Sequence, residues 1–583
     1  MALARSARLL AGATLLMSAA GAGAQDADPA TRAHDYLSRL EGYGYSGVVM
    51  VARGDSIMLH RAYGLADQER TIPMRTDHMI DMGSVTKQFT AAAIVALEDD
   101  GRLRVTDSIG KYFPGVPDDK RGITIHHLLT HTSGLAMGFG GDYERVTRDE
   151  IVRRSLGSTL RSQPGERHAY SNAGYSLLGA IVEIVSRKPL DAFMQERLFR
   201  RAGMTSSSYF PRDKRRVVRG YLRGVDMKIA ERAAATGREM WNLLGNGGLH
   251  SKLADMHRWM RALEQDRLFS RAAREKLVRP YALHSSDYRG TGSLHYAYGW
   301  YVSKLTNGKT IVWHLGGNGT LNTAVRWHVD DGTLVLYASN TSEFHDPAYP
   351  VPVIERLLAG ERANFPPAVI ARDSQAIARY AGQYRLDDDA ITVEVKKGFL
   401  RLRGEGQAAF SFVIGGEWEK DTVLDAWLQR TASLVEQSRT QQWEELRKSF
   451  GSQTTVQGLA DFETTFWRKR HDAHGSYVRT RLIGTEPAAA PFVARSIVAI
   501  DFERGTTIRE YFWTKDGVVE DLGPLDDTPI SRQYYPITPD CFAAVAPQLG
   551  KASQICFEGE NADEMVVRSV SGGSAIALHR ERP

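Results

Sequence analysis

Ser84-Val85-Thr86-Lys87-Gln88-Phe89-Thr90-Ala91-Ala92-Ala93-Ile94-Val95-Ala96-Leu97-Glu98-Asp99 decides how the rest of this chain is read. The stretch predicts a helix that is apolar on most sides, with Gly101 just beyond its end. A helix without a polar face belongs at the centre of a domain. Residues i and i+3 share one helix face, so the Lys87 amine can reach the Ser84 hydroxyl. A serine becomes a nucleophile when a base sits beside it, and a lysine held neutral can be that base. The spacing alone is weak, because Ser108-Ile109-Gly110-Lys111 repeats it. Context separates the two: Ser84 follows Gly83 at the head of an apolar helix, whereas Ser108 lies in a broken stretch that ends at Phe113-Pro114.

Outward from this helix, Gly47 to Ala52 and Ser56 to Arg61 alternate as strands around the turn Arg53-Gly54-Asp55. Thr124 to Thr130 and Ala173 to Ser186 are expected helices. Thr310 to His314, Leu321 to Val329 and Thr333 to Ser339 are expected strands, with Asp330-Asp331-Gly332 as the last turn. Pro352 to Ala359 closes the region as a helix. Strands at both ends of residues 30–362 bracket a helical middle. This predicts an α/β (α+β) fold: one antiparallel sheet with helices on both sides and a helical subdomain. Asn364-Phe365-Pro366-Pro367 reads as a linker. Beyond it Ile391 to Val395, Leu400 to Arg403, Ser496 to Phe502 and Thr506 to Trp513 alternate with period two. They suggest β-rich barrel modules, expected over 368–465 and 466–583.

Two further elements accompany Ser84 and Lys87. Tyr170-Ser171-Asn172 is the only Y-x-N in the chain, and His314-Leu315-Gly316 the only H-x-G, followed by Gly317. Ser84-x-x-Lys87, Tyr170-x-Asn172 and His314-x-Gly316, in this order, resemble the serine β-lactamase and penicillin-binding protein superfamily. The class C-like branch, with its esterases and D-aminopeptidases, is the nearest match. His127-Leu-Leu-Thr-His-Thr-Ser-Gly134, Tyr170-Ser-Asn-Ala-Gly-Tyr-Ser-Leu-Leu-Gly179 and Gly247-Gly-Leu agree with it. The resemblance covers roughly residues 35–360.

The resemblance implies the roles. Ser84 Oγ attacks a carbonyl and forms an acyl-enzyme, and Lys87 helps take its proton. Tyr170 is the other candidate base and later the acid. As a phenolate at neutral pH it would need its pKa to fall by ~3, or ~4 kcal/mol. Asn172 would hydrogen-bond Lys87 and the substrate amide. The backbone N–H groups of Ser84 and Gly317 would form an oxyanion hole. Gly316 and Gly317 would let the strand edge approach the substrate. Many β-lactamases and D,D-carboxypeptidases carry Lys-Thr-Gly as the third motif. His314 replaces a permanent cation with a group mostly neutral at pH 7. The expected activity is therefore hydrolysis of a D-amino-acid peptide, a related small amide or an ester. A weak β-lactamase or D,D-peptidase is one alternative, and a catalytically silent peptidoglycan- or peptide-binding protein the other. D-aminopeptidases of this superfamily carry two extra β-barrels, and Tyr380-Ala-Gly-Gln-Tyr384 resembles the opening strand of a lipocalin-like domain.

Composition narrows the setting. The chain has 583 residues, 42% hydrophobic and 25% charged, as a folded protein should. Arg5 and Arg8, the apolar run Leu9 to Ala20 and Ala22-Gly23-Ala24 read as a secretory signal over residues 1–24, cut after Ala24. Its removal with two arginines takes the net charge from +5 to +3. That balance does not suggest nucleic acid as a partner. The basic run of Arg212, Lys214, Arg215, Arg216, Arg219 and Arg223 reads as a solvated loop. No other segment reaches membrane-spanning length, so a periplasmic or secreted protein is expected.

The two cysteines, Cys541 and Cys556, are expected to form a disulfide in an oxidising compartment, with two buried thiols as the alternative. Gly42-Tyr-Gly44-Tyr-Ser-Gly47 precedes a strand, so it is no dinucleotide loop. No G-x-S-x-G elbow occurs. His127 and His131 lack a third metal ligand. No metal or organic cofactor is expected. The expected partner is a small-molecule or peptide substrate, and oligomeric state is not legible.

Overall fold

The computed structural model describes residues 28–581 apart from 223–224, 288–291, 342–349, 416–417, 419–420, 452–454, 488–491, 526–530, 547–550, 560 and 570–574. The expected export signal and Arg223 lie outside the described residues. The chain divides into two units, Met1–Ala363 and Asn364–Pro583.

In the first unit the elements that matter are α1 (Pro29–Gly42), β1 (Gly47–Arg53), β2 (Ser56–Tyr63), α2 (Lys87–Asp99), α3 (Ile125–Leu129), α4 (Asn172–Ser186) and α5 (Leu253–Glu264). They are followed by β3 (Ala282–Ser285), β4 (Gly292–Tyr296), β5 (Tyr301–Leu305), β6 (Thr310–Gly317), β7 (Asn322–His328), β8 (Thr333–Ser339) and α6 (Pro350–Leu358). One antiparallel sheet runs in the order β2-β1-β8-β7-β6-β5-β4-β3. The first and last strands of the unit meet at its centre, Val49 opposite Tyr337 and Val51 opposite Val335. Every residue of β8 is buried, so both faces of the sheet are covered. Helix α5 lies on β1 and β8, and α6 packs on β8 and α1.

The helix expected over 84–99 comes in two parts. Gly83–Thr86 is a 3₁₀ turn, and α2 follows from Lys87. Every residue from Lys87 to Leu97 is buried. Phe89 meets Trp259 of α5 at 4.4 Å between ring centroids. The 3₁₀ turn matters because it eclipses i and i+3, which stacks Lys87 directly over Ser84.

The second unit has β9 (Gly382–Leu386), β10 (Asp389–Lys396), β11 (Phe399–Glu405), α7 (Gln407–Gly415), α8 (Thr422–Arg439) and α9 (Val456–His474). Then come β12 (Tyr477–Pro487), β13 (Phe492–Phe502), β14 (Gly505–Thr514), β15 (Val519–Leu525), β16 (Arg532–Pro536), β17 (Cys541–Ala546), β18 (Lys551–Glu558), β19 (Glu564–Arg568) and β20 (Ile576–Arg580). Strands β9-β10-β11-β16-β17-β18-β19-β20 close a barrel, and β12-β13-β14-β15 form a separate sheet. Two successive modules divided at 465 do not describe this arrangement. The barrel takes β9 to β11 from before that point and β16 to β20 from after it, with Leu400 opposite Tyr534. Period-two alternation tells which face a strand buries but not which strand it pairs with. Helices α8 and α9 add to the β-rich region two long helices that the strand patterns do not show. Both carry N-caps: Asp421 accepts the N–H groups of Val423 and Leu424, and Thr455 accepts that of Gly458.

Helix α7 joins the barrel to the sheet, because Phe412 and Val413 enter the barrel core while Phe410 packs with Ile497 and Ile508. Cys541 and Cys556 face each other across β17 and β18 and are disulfide-bonded. Between the sheet and α8 and α9 lies a buried ion pair. Arg509 Nη1 donates to Glu463 Oε2 at 2.8 Å, Arg509 Nη2 donates to Oε1, and Ser438 Oγ donates to the same carboxylate. Trp467 Nε1 in turn donates to Ser438 Oγ at 2.8 Å. Removing one partner strands the other charge in a dry core. Glu463→Ala should therefore lower the stability of the full chain by about 3–5 kcal/mol in urea unfolding followed by fluorescence. Glu463→Gln, which keeps one acceptor, should cost less. Loss of under about 1 kcal/mol for Glu463→Ala would contradict this account.

Candidate active site

Ser84 and Lys87 meet as the spacing requires. Lys87 Nζ donates to Ser84 Oγ at 3.0 Å and to the Asn246 carbonyl at 2.9 Å. Lys87 has no exposed surface. Burial holds its ammonium pKa well below the usual lysine range, with the Asp142 charge opposing. The second S-x-x-K does something else. Ser108 caps a 3₁₀ turn, and Lys111 Nζ pairs with Asp107 at 2.8 Å.

Several groups missed in the sequence hold the nucleophile's turn. Gly83 N donates to Asp81 Oδ1 at 2.9 Å, Met82 N to the Leu249 carbonyl at 2.7 Å, and Thr323 Oγ1 to the Met82 carbonyl at 2.9 Å. Asn318 Nδ2 donates to the other Asp81 oxygen at 3.0 Å. The local signal was Asp81, whose side chain takes an N–H two residues on, as Asp does in turns. Asn246 was missed as well. Its loop is marked by Gly247-Gly248-Leu249, and its side chain donates to Ser176 Oγ and the Asn242 carbonyl.

This turn explains the glycines of the third motif. Gly83 has φ +49°, and a Cβ there would lie 2.5 Å from Gly317 N. A Cβ on Gly316 would stand 2.0 Å from the Met82 carbonyl oxygen. Gly316 is therefore required by the backbone just before Ser84, not by room for substrate. Gly317 is exposed, and its Cβ would meet Asn322 Oδ1 at 3.2 Å.

Tyr170 stands just before the N-cap of α4. The cap, Ser171, accepts Gly174 N–H and donates Oγ–H to the Ala136 carbonyl at 2.7 Å. Lys87 Nζ lies 4.9 Å from the Tyr170 ring centroid. Tyr170 keeps some exposed surface, but protein surrounds its hydroxyl. Burial, aided by the neighbouring Tyr301, raises the phenol pKa well above its usual value, and only a hydrogen bond with Ser84 opposes this. The pair thus favours neutral amine and neutral phenol.

Two expectations need correction. Asn172 does not bond Lys87: the amine is taken by Ser84 and Asn246, and Asn172 Oδ1 is buried without a partner. His314 does not leave a ring nitrogen free for substrate. Its Nδ1 pairs with the Leu315 carbonyl at 2.6 Å and its Nε2 with the Tyr296 hydroxyl at 3.1 Å. Burial, with Lys87 close by, pulls its pKa down to about 3, so it is neutral throughout the physiological range. His127 and His131 do not share a helix face either. His131 lies past the end of α3 at φ +58°, and His127 Nδ1 accepts the Thr124 N–H. In the basic run, Arg215 pairs with Asp213, Arg216 with Asp77, and Arg219 with Asp67, Asp226 and Glu231.

Comparison with known proteins places the chain in a family. The family model described as Beta-lactamase matches residues 35–357. The chain is 28% identical to penicillin-binding protein 4* of Bacillus subtilis (strain 168) over 394 residues, 63% of this chain and 85% of that protein. It is 34% identical to esterase EstB of Burkholderia gladioli over 197 residues, 30% of this chain and 50% of that one. The octameric penicillin-binding protein homologue from Pyrococcus abyssi superposes with TM-score 0.50 at 17% identity, over 94% of this chain and 99% of the other, which is a likeness of fold.

The glycine geometry yields a direct test. Gly316→Ala should abolish labelling of Ser84 by a fluorophosphonate, a loss of at least ~10²-fold, because its methyl displaces the nucleophile's turn. Gly317→Ala keeps its N–H and should lose far less. Equal labelling of Gly316→Ala and wild type, read by intact mass, would refute the assignment.

Proposed function

The chain belongs to the beta-lactamase family and is a serine hydrolase, and on that premise we propose that it cleaves a small amide or ester, best a D-amino-acid-containing peptide or amide, through an acyl-enzyme on Ser84. The observation that carries the reading is the fully buried Lys87 amine 3.0 Å from Ser84 Oγ. Lys87, held toward its neutral form, takes the Ser84 proton as Oγ bonds to the carbonyl carbon. The oxygen becomes an oxyanion facing the N–H groups of Ser84 and Gly317. Tyr170, a neutral phenol, gives its proton to the leaving nitrogen or oxygen as that bond breaks, and regains one from the Lys87 ammonium. Water then attacks the acyl carbon while Lys87 takes its proton, and Lys87 hands that proton to Ser84 Oγ as the acyl bond breaks, which restores the neutral amine and the serine hydroxyl. The unpaired Asn172 Oδ1 suits an N–H of the substrate.

The third motif supports the substrate class. A neutral His314 with both nitrogens occupied gives a substrate carboxylate no cation to meet. This disfavours carboxylate-bearing β-lactams and C-terminal D,D-peptides. The esterase relative supports the ester arm. The sequence of residues 1–24 supports export to the periplasm or medium, and no described helix is long and apolar enough to cross a membrane.

A panel of p-nitrophenyl esters, D-alanine p-nitroanilide and nitrocefin should show turnover on the first two and little on the third. All turnover should be lost in Ser84→Ala; its persistence there, or wild type inert to every substrate and to fluorophosphonate, would end this reading. The pH profile follows from Lys87. Protonation removes the base, so kcat/KM should fall on the acid side through a pKa far below the ~10.4 of a free lysine. Lys87→Arg, a permanent cation, should lose ~10²–10⁴-fold. An acid limb beginning near pH 10 would contradict a neutral Lys87.

A further inference from the structure

We propose that His131 is a positioning residue that sets the Tyr170 hydroxyl against Ser84, an inference that rests on the hydrolase reading above. His131 sits at φ +58° just past α3, with no exposed surface. Its backbone carbonyl accepts the Ala169 N–H at 2.7 Å. Its ring Nδ1 accepts the Ser171 N–H at 3.1 Å. One residue thus grips the backbone on both sides of Tyr170, by its carbonyl before and by its ring after. The next residues extend the grip: the Thr132 carbonyl accepts Gly165 N–H at 2.8 Å and the Gly134 carbonyl accepts Arg161 N–H at 2.7 Å. The run 131–134 therefore backs the loop that carries Tyr170.

The ring also fixes the phenol from the side. Its centroid lies 4.2 Å from Tyr170, 4.4 Å from Tyr296 and 5.0 Å from Tyr175. Because Nδ1 accepts a hydrogen bond, the proton of the neutral ring resides on Nε2. That N–H is buried with no hydrogen-bond partner. Leaving a buried donor unpaired is costly, and an apolar ring would avoid the cost. A histidine at this point is explained by its Nδ1 acceptor and its left-handed backbone, which leucine or phenylalanine would supply poorly. The same ring cannot act as the general base, since its one acceptor nitrogen is already used. Burial, together with His168, Lys87 and His314, keeps it neutral.

The test uses the full chain and the rate of fluorophosphonate labelling of Ser84, per folded molecule by circular dichroism. His131→Ala should slow labelling by ~10²-fold, the usual penalty for misplacing a catalytic group by about 1 Å. His131→Asn should recover most of the rate, because its Oδ1 occupies the place of Nδ1 and asparagine tolerates positive φ. His131→Gln, whose carboxamide reaches past that place, should not. The second readout is coupling: in a Tyr170→Phe background His131→Ala should add little further loss. A merely structural histidine would lower stability in all variants alike and act additively with Tyr170→Phe, and either result would overturn the proposal. Should His131→Ala not fold, the Asn and Gln variants decide by their difference. Wild type unlabelled would end the hydrolase reading itself, whereas wild type labelled with Asn and Gln variants alike would end only the positioning role.

Discussion

The contact on which the catalytic unit depends is that between the Lys87 amine and Ser84 Oγ, made inside an apolar core. A lysine at the start of a helix that buries every residue to Leu97 cannot be hydrated. Its desolvation is a folding cost, which favours the neutral amine and is met by two polar contacts. A neutral amine next to a serine hydroxyl is also the arrangement that chemistry needs. On the proposed mechanism, burial produces the base rather than merely accommodating it.

The same core sets the rest of the site. Met82 and Gly83 press against Gly316 and Gly317 at distances where a Cβ has no room, so the nucleophile's turn and strand β6 are positioned by each other. Asp81, Thr323 and the Leu249 carbonyl hold that turn from three directions. The Tyr170 loop is pinned by the Ser171 cap on one side and by residues 131–134 on the other. Each catalytic group thus sits on an element fixed by backbone hydrogen bonds, which is what preorganised catalysis asks for.

Much of the catalytic unit was legible because its signals are local. Helix α2 and the hairpin of β1 and β2 follow from apolar periodicity and turn residues. The central pairing of β1 with β8 follows from strands at both ends of the region. Failures came where partners are distant in sequence. Asn246 reaches Lys87 through its backbone carbonyl from a glycine-marked loop, while Asn172 Oδ1 has no partner among the described residues. His314 has its Nε2 taken by the Tyr296 hydroxyl, a pairing no spacing could reveal. In the second unit, α8 and α9 were overlooked between convincing strand patterns. The barrel's closure of β11 on β16 spans the whole inserted layer of helices and sheet.

The sequence by itself determined the order of the three motifs, the meeting of Ser84 with Lys87, and the division at the proline-rich linker. These are matters of residue type and short spacing, where helix and turn geometry leave few choices. Only the tertiary structure decided which groups are charged, which lone pairs are free and how the second unit is threaded. Those depend on burial and on partners tens to hundreds of residues away. Protonation is the clearest case, because a lysine, a tyrosine and a histidine carry ordinary pKa values until the fold removes water from around them.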